Sequence, residues 1–421
     1  ERLDMLINIK HITNKRRKYG RFAKTQASKW LWEYFFCSSL NNITANIRGY
    51  NNLLDFYNEY IHYENVLFTL VEDHRDHVIH SVWVMLIGFY LMKKCRPLVN
   101  IEYDDVLVSL YRNHPEPINM VNTLKNIKNK ELSLWFLITL THDLGYPIQK
   151  TIEANRTMSK MIDNFGFLSQ TEFSYRFDVI HSTAIDELLN TLSAHLYWIN
   201  DVEYKVGYSS GFRLDYAKSF EALDHGIMSA YLLQKYIDHI CEVMNVPQGI
   251  NDYVFTDTNM AAIRALIITW LKAISAHTND NVYWGSVNCM TPLLFICDEL
   301  DEFSRYSHQI HTDQWLNVEC ETQFNCTRQS IEYKYTFRKK IDFNILSFFK
   351  AKISKIASRF DLARDGINKI TITCIDNRKG RRHQKYYYEH RYTSPGLGFV
   401  KRYYGKTSDD VIGFIKGRVE L

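Results

Sequence analysis

The sequence predicts a mainly α fold: a long helical core followed by a small C-terminal α+β unit. Two observations carry that expectation. Apolar residues recur at helical spacing through separate stretches near 80–91, 131–143 and 263–277. Strand-like alternation appears only after about residue 315, in Ser330–Arg338 and Lys369–Ile375.

Residues 1–65 read as an N-terminal helical region with a basic start, Lys15, Arg16, Arg17, Lys18, Arg21 and Lys24. A main helical domain is expected over 66–315. In it His80, Val84, Ile87 and Leu91 share one helical face. Residues 93–130 are polar, carry Pro115 and Pro117, and read as a connecting loop. A buried helix follows over 131–143. Trp135 and His142 are seven apart, as are Phe136 and Asp143, so the His-Asp pair continues the apolar face at the helix end. Residues 151–219 form an insertion of mixed character, with helix around Ser182–Trp198.

Asp224 is placed to cap a helix running to about Met244. Ile263, Leu266, Ile267, Trp270, Leu271 and Ile274 hold helical spacing, and His277 closes that buried face. Thr291-Pro292 reads as a cap followed by the first helical position. Beyond it Asp298, Asp301, Glu302 and Arg305 lie on one face. In the last unit, 316–421, a helix is expected over Ile341–Phe360. The basic, tyrosine-rich stretch 376–405 reads as a hairpin or mobile loop. No internal repeat is visible.

Composition narrows the class. Seven prolines and no low-complexity run argue for a folded chain rather than a disordered one. A formal net charge of +4 is too small to establish a nucleic-acid partner, although the positive charge clusters at both ends of the chain. The eight cysteines form no Cys-x-x-Cys pair, which disfavours a zinc ribbon or a redox motif and suits reduced thiols in the cytoplasm. The longest apolar runs, Ser81–Met92 and Leu132–Leu140, are shorter than the ~20 residues a spanning helix needs. With no signal-peptide shape at the start, a soluble cytoplasmic protein with no membrane partner is expected.

The chemistry lies in the order of five elements. These are His80, Thr141-His142-Asp143-Leu144-Gly145, Asp224-His225-Gly226, His277, and Cys297-Asp298-Glu299-Leu300. Burying an unpartnered imidazole or carboxylate costs about 1–3 kcal/mol or more, so several aimed at one core need a shared partner. Imidazoles with carboxylates suit one or two divalent ions, among Mn, Fe, Mg, Zn, Co and Ni. Some of these residues have plainer readings. Asp224 can be only a cap, and His74 and His77 can be spectators on a surface-to-core stripe. Asp298 and Asp301 are a choice of register, with Asp301 able to pair with Arg305 at i, i+4.

The block of about 66–310 resembles the HD superfamily of metal-dependent phosphohydrolases, which are all-helical. The resemblance rests on His80-Ser81-Val82-Trp83-Val84, on THDLG at 141–145 and on CDELDEFSR at 297–305. It implies an all-helical HD-type domain in which His80, His142, Asp143 and Asp298 bind one metal. His225 and His277 look like the extra pair of two-metal members, including cyclic-nucleotide and cyclic-dinucleotide phosphodiesterases, with Asp143 bridging. Many members carry a lysine where this chain has Tyr146; Lys150, one turn later, is the expected substitute. The resemblance implies a metal-activated hydroxide attacking phosphorus in line. Arg75, Lys150 and Arg305 are candidate cations for the phosphoryl oxygens, and His77 is the candidate proton donor to the leaving oxygen.

Three functions remain open from the sequence. A nucleotide or cyclic-nucleotide phosphodiesterase comes first. A single-stranded nucleic-acid nuclease is second, gripping its substrate through the cations and rings of 378–406, a stretch that can equally be a solvated hairpin. A non-catalytic nucleotide-sensing module is third. Trimming at about residue 318 is expected to leave metal bound and to weaken polymer or partner binding.

Overall fold

Each helical stretch read from apolar spacing folds as a helix that turns its stripe inward. The computed structural model of the chain describes residues 21–43, 50–70, 76–94, 130–164, 179–199, 203–234, 257–282, 289–301, 320–327, 329–337, 344–357, 359, 367–378, 384–391, 399–404 and 411–413. The N-terminal helices are α1 (Arg21–Ile43) and α2 (Tyr50–Leu70). Next come α3 (Val78–Lys94), α4 (Lys130–Thr141) and α5 (Tyr146–Asp163). Then follow α6 (Val179–Ser193), the strands β1 (Ala194–Ile199) and β2 (Glu203–Tyr208), and α7 (Ser210–Glu221). Helix α8 (225–234), α9 (Asp257–Thr278) and α10 (Met290–Leu300) complete the helical part. The fold is mainly helical with a C-terminal sheet, as the sequence predicts.

Three buried tryptophans tie the helices together through their indole N–H groups. Trp32 donates to the Leu140 carbonyl at 2.6 Å, Trp135 to the Met85 carbonyl at 3.0 Å, and Trp270 to the Thr141 hydroxyl at 2.8 Å. The Trp135 ring lies over Gly88, where an added Cβ would stand 1.9 Å from the ring, so α3 and α4 meet at a position with no room for a side chain. Trp32 also stacks on Phe36 and Tyr57, which draws α1 and α2 into the same hydrophobic cluster as α3 and α4. Trp32→Phe keeps the ring but leaves the Leu140 carbonyl buried without its donor. It should cost about 1–3 kcal/mol, read as a lower urea midpoint with an unchanged slope.

The C-terminal unit is a six-stranded sheet in the order β3-β4-β5-β6-β7-β8. Its strands are β3 (Cys320–Cys326), β4 (Ser330–Phe337), β5 (Lys369–Asp376), β6 (Gln384–Arg391), β7 (Phe399–Tyr404) and β8 (Val411–Gly413). β4 and β5 pair in parallel, from Ser330↔Lys369 to Phe337↔Asp376, and the other neighbours are antiparallel. A parallel pair needs a crossover, and α11 (Ile345–Ala357) lies on that connection. It packs Phe348 on Tyr335 and Phe337, and Phe349 near Tyr386.

Several expectations change. The helix expected around Ser182–Trp198 ends at Ser193; residues 194–199 are aromatic and β-branched enough to pair as a strand with 203–208. Within 376–405 the hairpin reading holds, with β6 and β7 as antiparallel neighbours in the sheet, whereas β3 was not anticipated. Helix α10 starts at Met290 with Cys289 as its N-cap, two residues before the expected start at Pro292. Pro292 still falls in the first turn, where its missing N–H removes no helical bond. No described helix is long and apolar enough to cross a membrane.

Candidate metal centre

The THDLG segment is where α4 stops. Helix ends leave carbonyls without partners, and here each receives one. Thr139 O accepts from His142 Nδ1 at 2.7 Å, Leu140 O from Trp32, and Thr141 O from the Leu144 N–H at 3.3 Å. The His142 carbonyl lies 2.7 Å from the Ser229 hydroxyl, which also accepts from the Gly145 N–H at 2.7 Å. The chain turns at His142–Gly145 and enters α5 at once. That turn aims Asp143, 3% exposed, into the space between α3, α8, α9 and α10.

Four imidazoles turn their Nε2 atoms to the Asp143 carboxylate there, two toward each oxygen. His142 Nε2 is 3.4 Å and His80 Nε2 3.7 Å from Oδ2. His225 Nε2 is 3.5 Å and His277 Nε2 3.9 Å from Oδ1. Asp298 Oδ1 adds a carboxylate on the first side, 2.9 Å from His80 Nε2. His80, His142 and Asp143 form one group able to hold a metal ion; Asp143, His225 and His277 form a second.

In all four rings Nδ1 faces an oxygen acceptor. His80 Nδ1 meets Asp301 at 2.7 Å, His142 the Thr139 carbonyl, His225 the Gln149 amide oxygen at 3.0 Å, and His277 the Ile274 carbonyl. A carbonyl or carboxylate can only accept, so each Nδ1 carries a hydrogen and Nε2 is the atom left for coordination. His80 and His142 then bring their Nε2 atoms to 3.3 Å of each other, and His277 Nε2 is buried without a hydrogen-bond partner. Lone pairs brought this close inside a protein call for a cation between them. The residues therefore fit a divalent ion on either side of Asp143.

Electrostatics agree. Burial alone would raise the Asp143 carboxyl, but the imidazoles of His142 and His77 hold it well below the usual carboxylate range. Burial lowers His142 to about 4 and lowers His225 as well. Both are thus neutral ligands at pH 7. Burial pushes the Cys297 thiol well up, so it is not a thiolate beside Asp298. The His142 shift has a sign that can be measured. The unfolded chain protonates this histidine near pH 6.5 and the folded, metal-free protein only near 4, so acidification favours unfolding. Chelator-stripped protein should lose about 2 kcal/mol from this group between pH 7 and pH 5, seen as a falling urea midpoint.

The structure gathers His80, His142, Asp143, His225, His277 and Asp298 around one point, across the 151–219 insertion that separates them in sequence. His77 sits just before α3, 2% exposed, with Nδ1 on Asp143 Oδ2 at 2.8 Å. It grips the shared carboxylate. Lys150 pairs with Glu153 and lies 5.4 Å from the Tyr146 ring centroid. Tyr146 packs on His77 and edge-on to His225, at centroid distances of 3.7 and 5.2 Å. Asp224 is the N-cap expected: its carboxylate accepts from the Gly226 N–H at 3.0 Å. Asp301 has His80 Nδ1 as a partner at 2.7 Å, and the pairing expected with Arg305 falls outside the described residues. Arg305, Arg75 and His74 lie outside the described residues.

Sequence reading missed Gln149 and the role of Asp301. Asp301 was visible on the same face as Asp298, but nothing local says that one carboxylate meets Nε2 and the other Nδ1. No family model, curated protein or solved structure matches the chain.

Proposed function

We propose that this protein is a metal-dependent phosphohydrolase of the HD type, acting on a nucleotide-class phosphoester through a two-ion centre. The observation that carries this reading is the two-by-two approach of four Nε2 atoms to the two oxygens of Asp143, each ring held by an acceptor at Nδ1. A single structural ion needs one set of ligands; a carboxylate flanked on both sides suits a bridge. Divalent ions in such a pair supply an activated water at neutral pH and offset charge on phosphoryl oxygens.

The protein's own groups have separable tasks. His80, His142 and Asp298 would hold one ion, His225 and His277 the other, and Asp143 both. Asp301, Gln149 and the carbonyls of Thr139 and Ile274 keep the rings in the coordinating tautomer. His77 fixes the Asp143 carboxylate, and Glu64, 1% exposed, accepts from the His77 backbone N–H and fixes that residue in turn. Tyr146 borders the His225 side with Lys150 beside its ring, and these two would meet an anionic substrate.

The test is an activity screen of metal-loaded protein over cyclic dinucleotides, cyclic mononucleotides, deoxynucleoside triphosphates and short single strands, with Asp143→Ala as control. Hydrolysis of a phosphoester that disappears in the control supports the reading. Equal hydrolysis by the control, or none with any of Mn, Fe, Co, Ni, Zn or Mg, contradicts it. The second reading, a nuclease, is favoured by the strands β6 and β7, in which Tyr387 pairs with Tyr403, Tyr388 with Arg402 and Glu389 with Lys401. Polymer binding that falls steeply with salt distinguishes it, because each neutralised phosphate releases counterions.

A further inference from the structure

Two of the three helices that end at candidate metal ligands, α9 and α10, are held at their C-termini by cations from the C-terminal unit. Helix α9 delivers His277 and stops at Thr278. The next carbonyl, Asn279 O, accepts from Arg359 Nη1, while Arg359 Nη2 pairs with Asp280. The same guanidinium lies 5.2 Å from the centroid of the Phe295 ring on α10. Helix α10 delivers Asp298, and the following residue, Glu299, is taken by two lysines of α11. Lys352 Nζ reaches the Glu299 carbonyl at 3.0 Å and its carboxylate at 2.5 Å; Lys355 Nζ reaches the other carboxylate oxygen at 2.8 Å.

A helix C-terminus presents unpaired carbonyls and the negative end of the backbone dipole, so a cation there is favoured. These two cations are also buried, with 5% of the Arg359 side chain and 6% of the Lys352 side chain exposed. Taking such charges out of water is costly before pairing is counted, and a loose tether between two units does not require it. Each contact falls one or two residues beyond a ligand: Glu299 after Asp298, Asn279 after His277. Glu299 is thereby turned toward α11, and Asp298 is the acid that faces His80 Nε2.

Resting on the two-ion reading above, we propose that Lys352 and Arg359 are positioning residues for the metal centre. They fix the ends of α10 and α9 so that Asp298 and His277 face Asp143. The C-terminal unit is then an integral part of the centre. The expectation that trimming near residue 318 leaves the metal bound is replaced by its opposite: the cut removes both cations.

The experiment uses the full chain, stripped with a chelator and titrated with Mn²⁺ by calorimetry. Asp298→Ala and His277→Ala titrations assign the two equivalents. Folded Lys352→Met should weaken the Asp298-dependent equivalent about tenfold, and folded Arg359→Gln the His277-dependent one by a similar factor. Each should leave the other equivalent unchanged, and Lys352→Arg and Arg359→Lys should recover part of the loss. A merely structural role would lower stability without this split. Two equivalents of wild-type affinity in both folded variants overturn the inference.

A second measurement needs no variant. Coupling is reciprocal, so Mn²⁺ should slow amide hydrogen exchange across Ile345–Ala357 of the wild-type chain; identical exchange with and without the ion overturns the inference. Wild-type protein that binds no Mn²⁺ removes the two-ion reading itself. Normal binding with indifferent variants removes this inference alone.

Discussion

Replacing Asp143 with alanine should release both metal ions and lower hydrolysis by about three orders of magnitude or more, the equivalent of some 4 kcal/mol of transition-state stabilisation. No other residue has this reach, because Asp143 is the only carboxylate that faces both imidazole pairs among the described residues. Removing His277 or Asp298 takes one ligand from one side. Removing Asp143 takes a ligand from both and leaves His77 Nδ1 without the oxygen it grips at 2.8 Å. Asp143→Asn should fare little better: the amide keeps the shape but not the charge that balances two cations. Metal content by elemental analysis, set beside kcat/KM, checks both variants. A mutant holding as much metal as the wild type would mean that the ions are bound elsewhere.

Gly145→Ala should damage the centre without touching a ligand. An added Cβ would stand 2.4 Å from the His225 carbonyl oxygen and 2.5 Å from the Ser229 nitrogen. Both are backbone atoms of helix α8 and cannot swing aside as a flexible side chain would. The turn that carries His142 and Asp143 and the helix that carries His225 must therefore separate. The Gly145 N–H bond to Ser229 is strained by the same movement. Overpacking of this kind costs about 1–3 kcal/mol. The His225–Asp143 approach opens with it, so the ion on the Oδ1 side should bind about tenfold more weakly or worse.

Gly226→Ala tests the opposite wall of the same half-site. Its Cβ would meet the Thr278 hydroxyl at 2.4 Å and the Ile274 carbonyl at 2.8 Å, pushing on the helix that holds His277. Urea midpoints and metal titrations of both alanine variants check this. Full occupancy at wild-type stability in Gly145→Ala would show that the close approach is not needed.

Helical periodicity made the ligands legible. His80 stands in the stripe with Val84, Ile87 and Leu91, His142 follows Trp135 by two turns, and His277 follows Ile274. In each case an apolar face that must point inward carries an imidazole with it. Asp298 was less legible: it and Asp301 share one face as a choice of register, and the resemblance to the HD pattern, with the Asp301–Arg305 spacing, selected Asp298. The partners that hold the ligands were not legible. Gln149 reaches His225 across 76 residues and Asp301 reaches His80 across 221. No local pattern encodes pairings at that range. Long-range pairing also explains the strands that were missed. Residues 194–199 satisfy helical spacing and strand propensity about equally, and only the match with 203–208 decides between them. The Tyr-rich segment 384–391 was legible only as one arm of a hairpin or as a loop, because its charged residues partly hide the alternation that buries Tyr386 and Tyr388. The clamp from Lys352 and Arg359 was invisible for the same reason, since a lysine on a helix carries no sign of the helix end it will meet.

Crystals grown with Mn²⁺ and measured at a wavelength where manganese scatters anomalously test the central claim most directly. Two anomalous peaks are predicted, one between Asp143 Oδ2 and the His80–His142–Asp298 side, the other between Oδ1 and the His225–His277 side. A map with no peak at Asp143, or with the only manganese bound away from these imidazoles, would contradict it.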